Sequence, residues 1–212
     1  MFRPEASMRV SREQVTANRE NIIVSAGQQF RKRGFDDVTI SDVMKAAGLT
    51  HGGFYGYFGS KDALEAAICE RGVADSVTAV EAVAVDDSGD KEAGGGALLQ
   101  RFVQEYVSAE HRDTPEYGCT VGALARDAGR SPVEIQRIFA SGITGMAESL
   151  ARLRWLDAPD SENGNGSAPD FATLSTMIGA LTLARAVADA DPALSDTILE
   201  TAREHIASST SA

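Results

Sequence analysis

"GLTHGGFYGYFGSK", residues 48–61, sets five glycines beside four aromatics, Phe54, Tyr55, Tyr57 and Phe58. A helical glycine costs about 1 kcal/mol against alanine, yet both flanks of this stretch read as helix. Upstream, Val15, Ile22, Ile23, Ala26 and Phe30 recur at helical spacing. Gly34 stops that helix behind a basic last turn, Arg31, Lys32 and Arg33, where cations suit the helix dipole. Thr39 and Asp42 then form a capping-box pair, with Val38 and Val43 placed as a hydrophobic staple. Ile40, Val43, Met44 and Ala47 share one face of a short helix that ends at Gly48. A third helix follows within about three residues, capped by Thr50 and stapled by Leu49 and Phe54. Ser60 caps a fourth, from Lys61 to about Val85.

Two helices joined by so short a turn make a helix-turn-helix, whose second helix lies in the major groove. Phe54, Tyr55 and Phe58 can anchor that helix from behind. Gly52 and Gly53 then form its leading edge, with no side chain to hold the backbone off DNA. Such a helix is marginal alone and depends on its aromatic anchors. Lys61 opposes the dipole of the helix it opens, unless it and the helix N-terminus hold a phosphate together. The competing reading pairs Lys61 with Glu65, one turn on. Thr39, Tyr55 and Tyr57 can face the same backbone as Lys61, and phosphate contacts come in sets.

The remaining chain continues the helical pattern. "DDSGDKEAGGG", residues 86–96, reads as a turn or linker. "ALLQRFVQEYVSA" reads as a fifth helix and "EHRDTPEYG" as the loop that closes it. A sixth helix is expected from Cys119 to Asp127. Ser131, Pro132 and Glu134 announce a seventh toward Leu156 as N-cap, first-turn proline and acid. "DAPDSENGNGSAP" reads as a loop. Asp170 caps "FATLSTMIGALTLARAVADA", and a last helix lies within "PALSDTILETAREHIASS". No strand-period stretch or internal repeat emerges. The expected fold is all-α with about nine helices: an N-terminal arm over 1–11, a helix-turn-helix domain over 12–66 and a helical body over 67–212.

Charge also divides along the chain, between residues 61 and 62. Residues 1–61 carry nine Lys/Arg and six Asp/Glu, a balance of +3; residues 62–212 carry eleven and twenty-five, a balance of −14. A basic N-terminal quarter on an acidic body points to different partners for the two parts, although an acidic surface also serves plain solubility. No apolar run reaches the roughly 20 residues of a membrane span, and "MFRPEASMRV" has no signal-peptide core. Two cysteines make no disulfide framework. A cytoplasmic setting without membrane contact is expected.

"TISDVMKAAGLTHGGFYGYFGSKDAL" resembles the DNA-binding signature of the TetR family of transcriptional regulators. The matching positions are Thr39, Ile40, Val43, Ala47, Gly48, Gly52, Phe54, Tyr55, Tyr57, Phe58, Ser60, Lys61 and Leu64, within a resemblance over about residues 15–68. Gly53 departs from the small hydroxyl or methyl side chain more usual there, and Gly56 from a larger polar residue, so contacts made by those side chains are absent. The resemblance implies that Thr39, Tyr55, Tyr57 and Lys61 hold phosphates, while Thr50, His51, Gly52 and Gly53 face base edges. His51 can donate or accept in the groove, or stand exposed without a base contact. "MRVSREQ" from Met8 looks like a customary family start, which leaves residues 1–7 as an extension or a misassigned start. Arg9 and Arg12 either reach the minor groove or belong to a frayed end.

The resemblance also implies a homodimer that binds a small molecule in its C-terminal helices, and a palindromic double-stranded operator. A dimer sets its two recognition helices roughly 34–36 Å apart, in successive major-groove turns. Leu174, Ile178, Leu181 and Ala188, then Leu194, Ile198 and Ala202, form stripes suited to core or interface. Phe102, Tyr106, Tyr117, Cys119, Phe139, Met146, Trp155 and Met177 are candidates for the ligand pocket, with ordinary core as the alternative for each. Cys119 stands at a helix start, where a thiol can be reactive, or is an inert buried thiol.

Enzymatic signatures are missing. The glycines do not form G-x-G-x-x-G, "GSK" is not G-K-[ST], and no G-x-S-x-G occurs. His51, His111, His205 and the cysteines lack metal-ligand spacing. No cofactor or metal is expected. The reading is a ligand-responsive DNA-binding regulator, of which repression is the family's commoner mode. Its rival is a helical small-molecule-binding or interaction protein that does not touch DNA.

Overall fold

The computed structural model describes residues 11–85, 96–156 and 168–210, and every regular element among them is a helix. The α-helices are α1 Arg12–Arg33, α2 Ile40–Ala46, α3 Lys61–Val85, α4 Ala97–Tyr106, α5 Ala109–Asp113, α6 Thr120–Ala128, α7 Val133–Leu156, α8 Phe171–Val187 and α9 Pro192–Thr210. Two 3-10 helices, His51–Gly56 and Pro115–Tyr117, complete the order. Residues 1–10, Arg9 among them, and most of the expected linker (86–95) and loop (157–167) lie outside the described residues.

The expected stops and starts of the N-terminal helices form as read. Gly34 ends α1 at φ 82°, its N–H donating to the Phe30 carbonyl. Thr39 Oγ1 accepts from the Asp42 N–H at 3.2 Å and Asp42 Oδ2 from the Thr39 N–H at 3.0 Å, which closes the capping box on α2. Gly48 turns the chain at φ 71°, a left-handed conformation that a side chain would strain.

The third helix departs from expectation. It is a 3-10 helix, and Thr50 makes no side-chain cap bond. With three glycines among its six residues, local propensity cannot hold an α-helical turn. The backbone takes the tighter i+3 spacing that suits short pieces between packed anchors. Gly53 N–H donates to the Thr50 carbonyl at 3.0 Å and Tyr57 N–H to that of Phe54 at 2.9 Å.

One apolar core runs through the molecule, from Ile22, Phe30, Met44 and Phe54 under the helix-turn-helix to Leu174, Leu199 and Ile206 in the body. Helix α3 crosses it lengthwise. Leu64 and Ile68 pack below the helix-turn-helix and Val80 inside the body, so the expected domain boundary at 66/67 falls within a continuous helix. α3 and α7 form the most extensive helix pair, followed by α8 and α9.

Smaller corrections follow from local chemistry. The expected loop over 110–118 holds α5, capped by Ser108, and a 3-10 turn that begins at Pro115. Ser131 does not cap α7; its hydroxyl donates back to the Asp127 carbonyl at 2.9 Å. Val15 is exposed, unlike the rest of its α1 stripe. On α8 and α9, Leu174, Leu181 and Ala202 are core, whereas Phe171, Leu183 and Leu194 are exposed apolar side chains.

Candidate DNA-binding surface and ligand cavity

The helix-turn-helix carries a set of exposed groups: Thr39, Thr50, His51, Gly52 and Tyr55, the last 69% exposed. Behind them Phe54 and Phe58 are buried and stacked, with ring centroids 5.9 Å apart. Tyr55 meets Phe54 edge-on at 5.3 Å, and the Arg19 guanidinium lies 4.9 Å from the Phe58 centroid. The anchoring role read for Phe54 and Phe58 is therefore built as packing, while Tyr55 turns outward.

Gly53, Tyr57 and Lys61 are half-buried. The Tyr57 hydroxyl accepts from Asn18 Nδ2 at 2.9 Å, which ties the end of the 3-10 helix to α1. Lys61 donates to the Phe35 carbonyl at 2.5 Å, stands 3.5 Å from Glu65 and lies 5.8 Å from the Phe30 ring centroid. Its ammonium thus fastens α3 to the α1–α2 turn as well as to Glu65. For the Phe35 carbonyl as a partner, sequence spacing carries no signal.

The glycines of the His51–Gly56 helix are not there for internal packing. A Cβ at Gly52 or Gly56 meets nothing within 4 Å, and one at Gly53 meets only ordinary contacts from 3.7 Å outward. Neither Gly52 nor Gly56 has a positive φ. Gly52→Ala is therefore expected to keep or raise stability, by up to about 1 kcal/mol. If the bare backbone serves close approach, the same substitution lowers DNA affinity. Urea unfolding and DNA titration of one variant separate the two; unchanged affinity removes the close-approach role.

In the body, a cavity of about 660 Å³ opens between α3, α4, α6 and the segment 108–119, within the usual range for small-molecule sites. Of the residues expected to line a pocket, Phe102, Tyr106, Tyr117, Cys119 and Met146 do so. Phe139 and Met177 do not line it; both are buried in the core, because their helix faces meet other helices instead of the opening. The Trp155 side chain lies outside the described residues. The cavity wall is more polar than the sequence suggests, since Arg31, Ser76, Thr120 and His111 also line it.

Cys119 caps α6 through sulfur, which accepts from the Gly122 N–H at 3.4 Å. Burial pushes the Cys69 thiol up to about 12. The Tyr106 hydroxyl is buried with no hydrogen-bond partner among the described residues, and burial raises its pKa well above the ordinary value.

His111 joins two segments of this wall. Nδ1 lies 2.8 Å from the Tyr106 carbonyl, which can only accept, so Nδ1 carries the proton. Nε2 lies 3.2 Å from the Cys119 N–H and accepts from it. Only the neutral ring satisfies both bonds. Burial lowers the His111 pKa, against the bond to Tyr106 and with the help of Arg185. A pKa below its unfolded value of 6.5 means that protonation favours unfolding. The contribution is complete above 6.5 and is lost as pH falls from there through the folded value. Urea melts at about pH 8 and about pH 5.5 should show a steeper loss for the wild type than for His111→Gln. Equal losses contradict the assignment.

Comparison with known proteins agrees with this architecture. Residues 22–68 match the family model of bacterial regulatory proteins, TetR family. The chain is 41% identical over 58 residues to YvdT of Bacillus subtilis (strain 168), described as an uncharacterized HTH-type transcriptional regulator; the match spans 27% of this chain and 30% of that relative. Among solved structures, the reduced form of E. coli NemR superposes with a TM-score of 0.67 at 20% identity, covering 89% of this chain and 95% of that one. A TetR transcriptional regulator from Legionella pneumophila gives 0.69 at 20% identity, covering 90% and 95%. No helix among the described residues is long and apolar enough to cross a membrane. Residues 22–68 thus carry the helix-turn-helix of the TetR family of bacterial regulatory proteins, on a fold shared along nearly the whole chain with TetR-family structures.

Proposed function

We propose that the protein is a cytoplasmic, ligand-responsive transcriptional repressor that binds a palindromic operator as a homodimer and leaves it when a small molecule occupies the body cavity. The observation that carries this reading is the exposed set of Thr39, Thr50, His51, Gly52 and Tyr55, held from behind by the buried Phe54–Phe58 pair. Thr39, Tyr55, Tyr57 and Lys61 hold phosphates, and Thr50, His51, Gly52 and Gly53 approach base edges. Bound DNA then competes with the Phe35 carbonyl and Glu65 for Lys61, and with Asn18 for Tyr57.

The cavity supports the ligand-responsive part. Its wall includes Gly72, Asp75, Ser76 and Ala79 of α3, the helix that begins beside the DNA-facing segment at Lys61. Over its 25 residues α3 spans roughly 37 Å at 1.5 Å per residue. A small tilt at the cavity end displaces the helix-turn-helix. Half-site spacing is fixed, so that displacement weakens the grip on both halves of the operator at once. The exposed Phe171, Leu183 and Leu194 on α8 and α9 supply apolar surface for the second copy.

The test is binding of the full chain to a random duplex pool, followed by titration of the enriched duplex at several salt concentrations. Enrichment of a palindrome, with an affinity that falls as salt rises, is expected. Absence of salt-dependent binding overturns the regulator reading in favour of a ligand-binding protein without DNA contact.

A further inference from the structure

Among the residues that line the cavity, Arg31 is the one that comes from the first sixty. It belongs to the last turn of α1, next to Phe30, whose buried ring forms part of the helix-turn-helix core. Its guanidinium reaches into the body. Nε and Nη2 both donate to the Glu116 carbonyl, at 2.9 and 2.5 Å, and Nη1 lies 3.5 Å from Thr120 Oγ1.

No ion pair among the described residues involves this guanidinium. Arg33, Arg71, Arg112, Arg130, Arg152 and Arg154 each meet a carboxylate. Arg185 and Arg203 are, like Arg31, held by backbone carbonyls, but neither lines the cavity. Burial lowers the Arg31 pKa, and the nearby carboxylates of Asp75 and Glu116 offset this only in part. A cation facing a ligand-sized space with only dipoles for partners lacks the charge-assisted bonds that a guanidinium makes best.

We propose that the cavity takes an amphiphile with an apolar body and a carboxylate-like anionic head, and that the head pairs with Arg31, which carries occupancy of the cavity directly to α1. The inference rests on the reading of the cavity as an effector site. Phe102, Met146 and Ala79 receive the apolar body. Acidic side chains at the cavity do not oppose the head group. Glu105 and Glu110 are exposed, where salt screens them over about 8 Å, and Asp75 is already paired with Arg71 at 3.2 Å.

Pairing with a bidentate head turns Arg31 away from the Glu116 carbonyl. The 3-10 turn Pro115–Tyr117 then loosens from the end of α1, leaving Lys32 with Glu116 at 3.0 Å as the remaining ion pair there. This route to the DNA-binding segment runs through α1 and is separate from any tilt of α3.

Three probes with one tail test the head group: decanoate, decanol and decyltrimethylammonium, titrated calorimetrically into the full chain. Decanoate should bind tightest. Arg31→Gln should weaken decanoate at least about tenfold, the order expected for removal of a charge-assisted bond, and leave decanol unchanged; Arg31→Lys should retain part of the affinity. Thermal melts of both variants report that the fold is kept. If decanol or the cation binds as well as decanoate, or if Arg31→Gln binds decanoate like the wild type, the Arg31 assignment is overturned and the effector cavity stands. If none of the three binds the full chain, the cavity reading falls with the Arg31 assignment.

Discussion

Phe54→Ala is expected to destabilise the chain by about 3–5 kcal/mol, the usual cost of removing a buried aromatic ring, and to abolish DNA binding. Phe54 is 0% exposed, stacked on Phe58 and edge-on to Tyr55. It sits in a 3-10 helix of six residues, three of them glycine. Such a segment has almost no stability of its own, so its position relative to α2 is set by this ring and by Phe58. The loss is large against a typical total of about 5–15 kcal/mol. Phe54→Leu, which keeps most of the volume, should cost less than half as much. Urea unfolding followed by circular dichroism, with DNA titration of each variant, measures both effects. Wild-type melting of Phe54→Ala would falsify the view that packing, not propensity, holds the DNA-facing segment.

Gly142→Ala should act at the other end of the molecule, with an effect of opposite sign to its helix propensity. Alanine in place of a mid-helix glycine gains about 1 kcal/mol. Here the new Cβ would overlap Val73 Cγ1 and stand 3.3 Å from its Cβ. Valine is stiff about χ1, so it cannot swing aside as a long side chain could, and α3 must part from α7. Overpacking of this kind costs about 1–3 kcal/mol or more, which outweighs the propensity gain. Val73→Ala removes the obstructing methyls at the cost of a small cavity. The double variant should therefore be more stable than the sum of the two single effects allows, with a coupling of about 1 kcal/mol or more. Additive losses in a denaturation cycle count against the close approach of α3 and α7. Because α3 also lines the cavity and begins at the DNA-facing segment, Gly142→Ala should also shift any ligand response measured on DNA.

The helix-turn-helix was legible because its signals are local. The Thr39–Asp42 box, the turn at Gly48 and the aromatic run each act within a few residues, and the charge split falls just after them, between residues 61 and 62. The conformation of the DNA-facing helix was not legible. An α-helix and a 3-10 helix differ here by less than the contacts of Phe54 and Phe58 decide, and those contacts are tertiary. The cavity was partly legible. Helical periodicity says which faces point inward, but not which inward faces stop short of touching. Hence Phe102, Tyr106 and Met146 line the space while Phe139 and Met177 fill the core. Arg31 was hidden for a related reason. In a last turn it reads as a cation placed for the helix dipole, and its partners lie 85 and 89 residues away. The Gly142 approach was equally silent, since a glycine within a helical pattern does not announce which neighbour needs the room.

Helix α6 touches the N-terminal unit near both of its ends. Thr120, its first residue, faces Arg31. Near the other end, Asp127 Oδ1 accepts from the Phe35 N–H at 3.3 Å and lies 3.1 Å from where a Cβ on Gly34 would stand. A hybrid protein that joins residues 12–60 to the body of a relative would preserve the connection through α3 and forfeit these two seats unless Glu116, Thr120 and Asp127 travelled with the graft. Portability of the reading head therefore depends on three positions more than fifty residues downstream of the splice, and shuffling between relatives is expected to succeed only where those positions match.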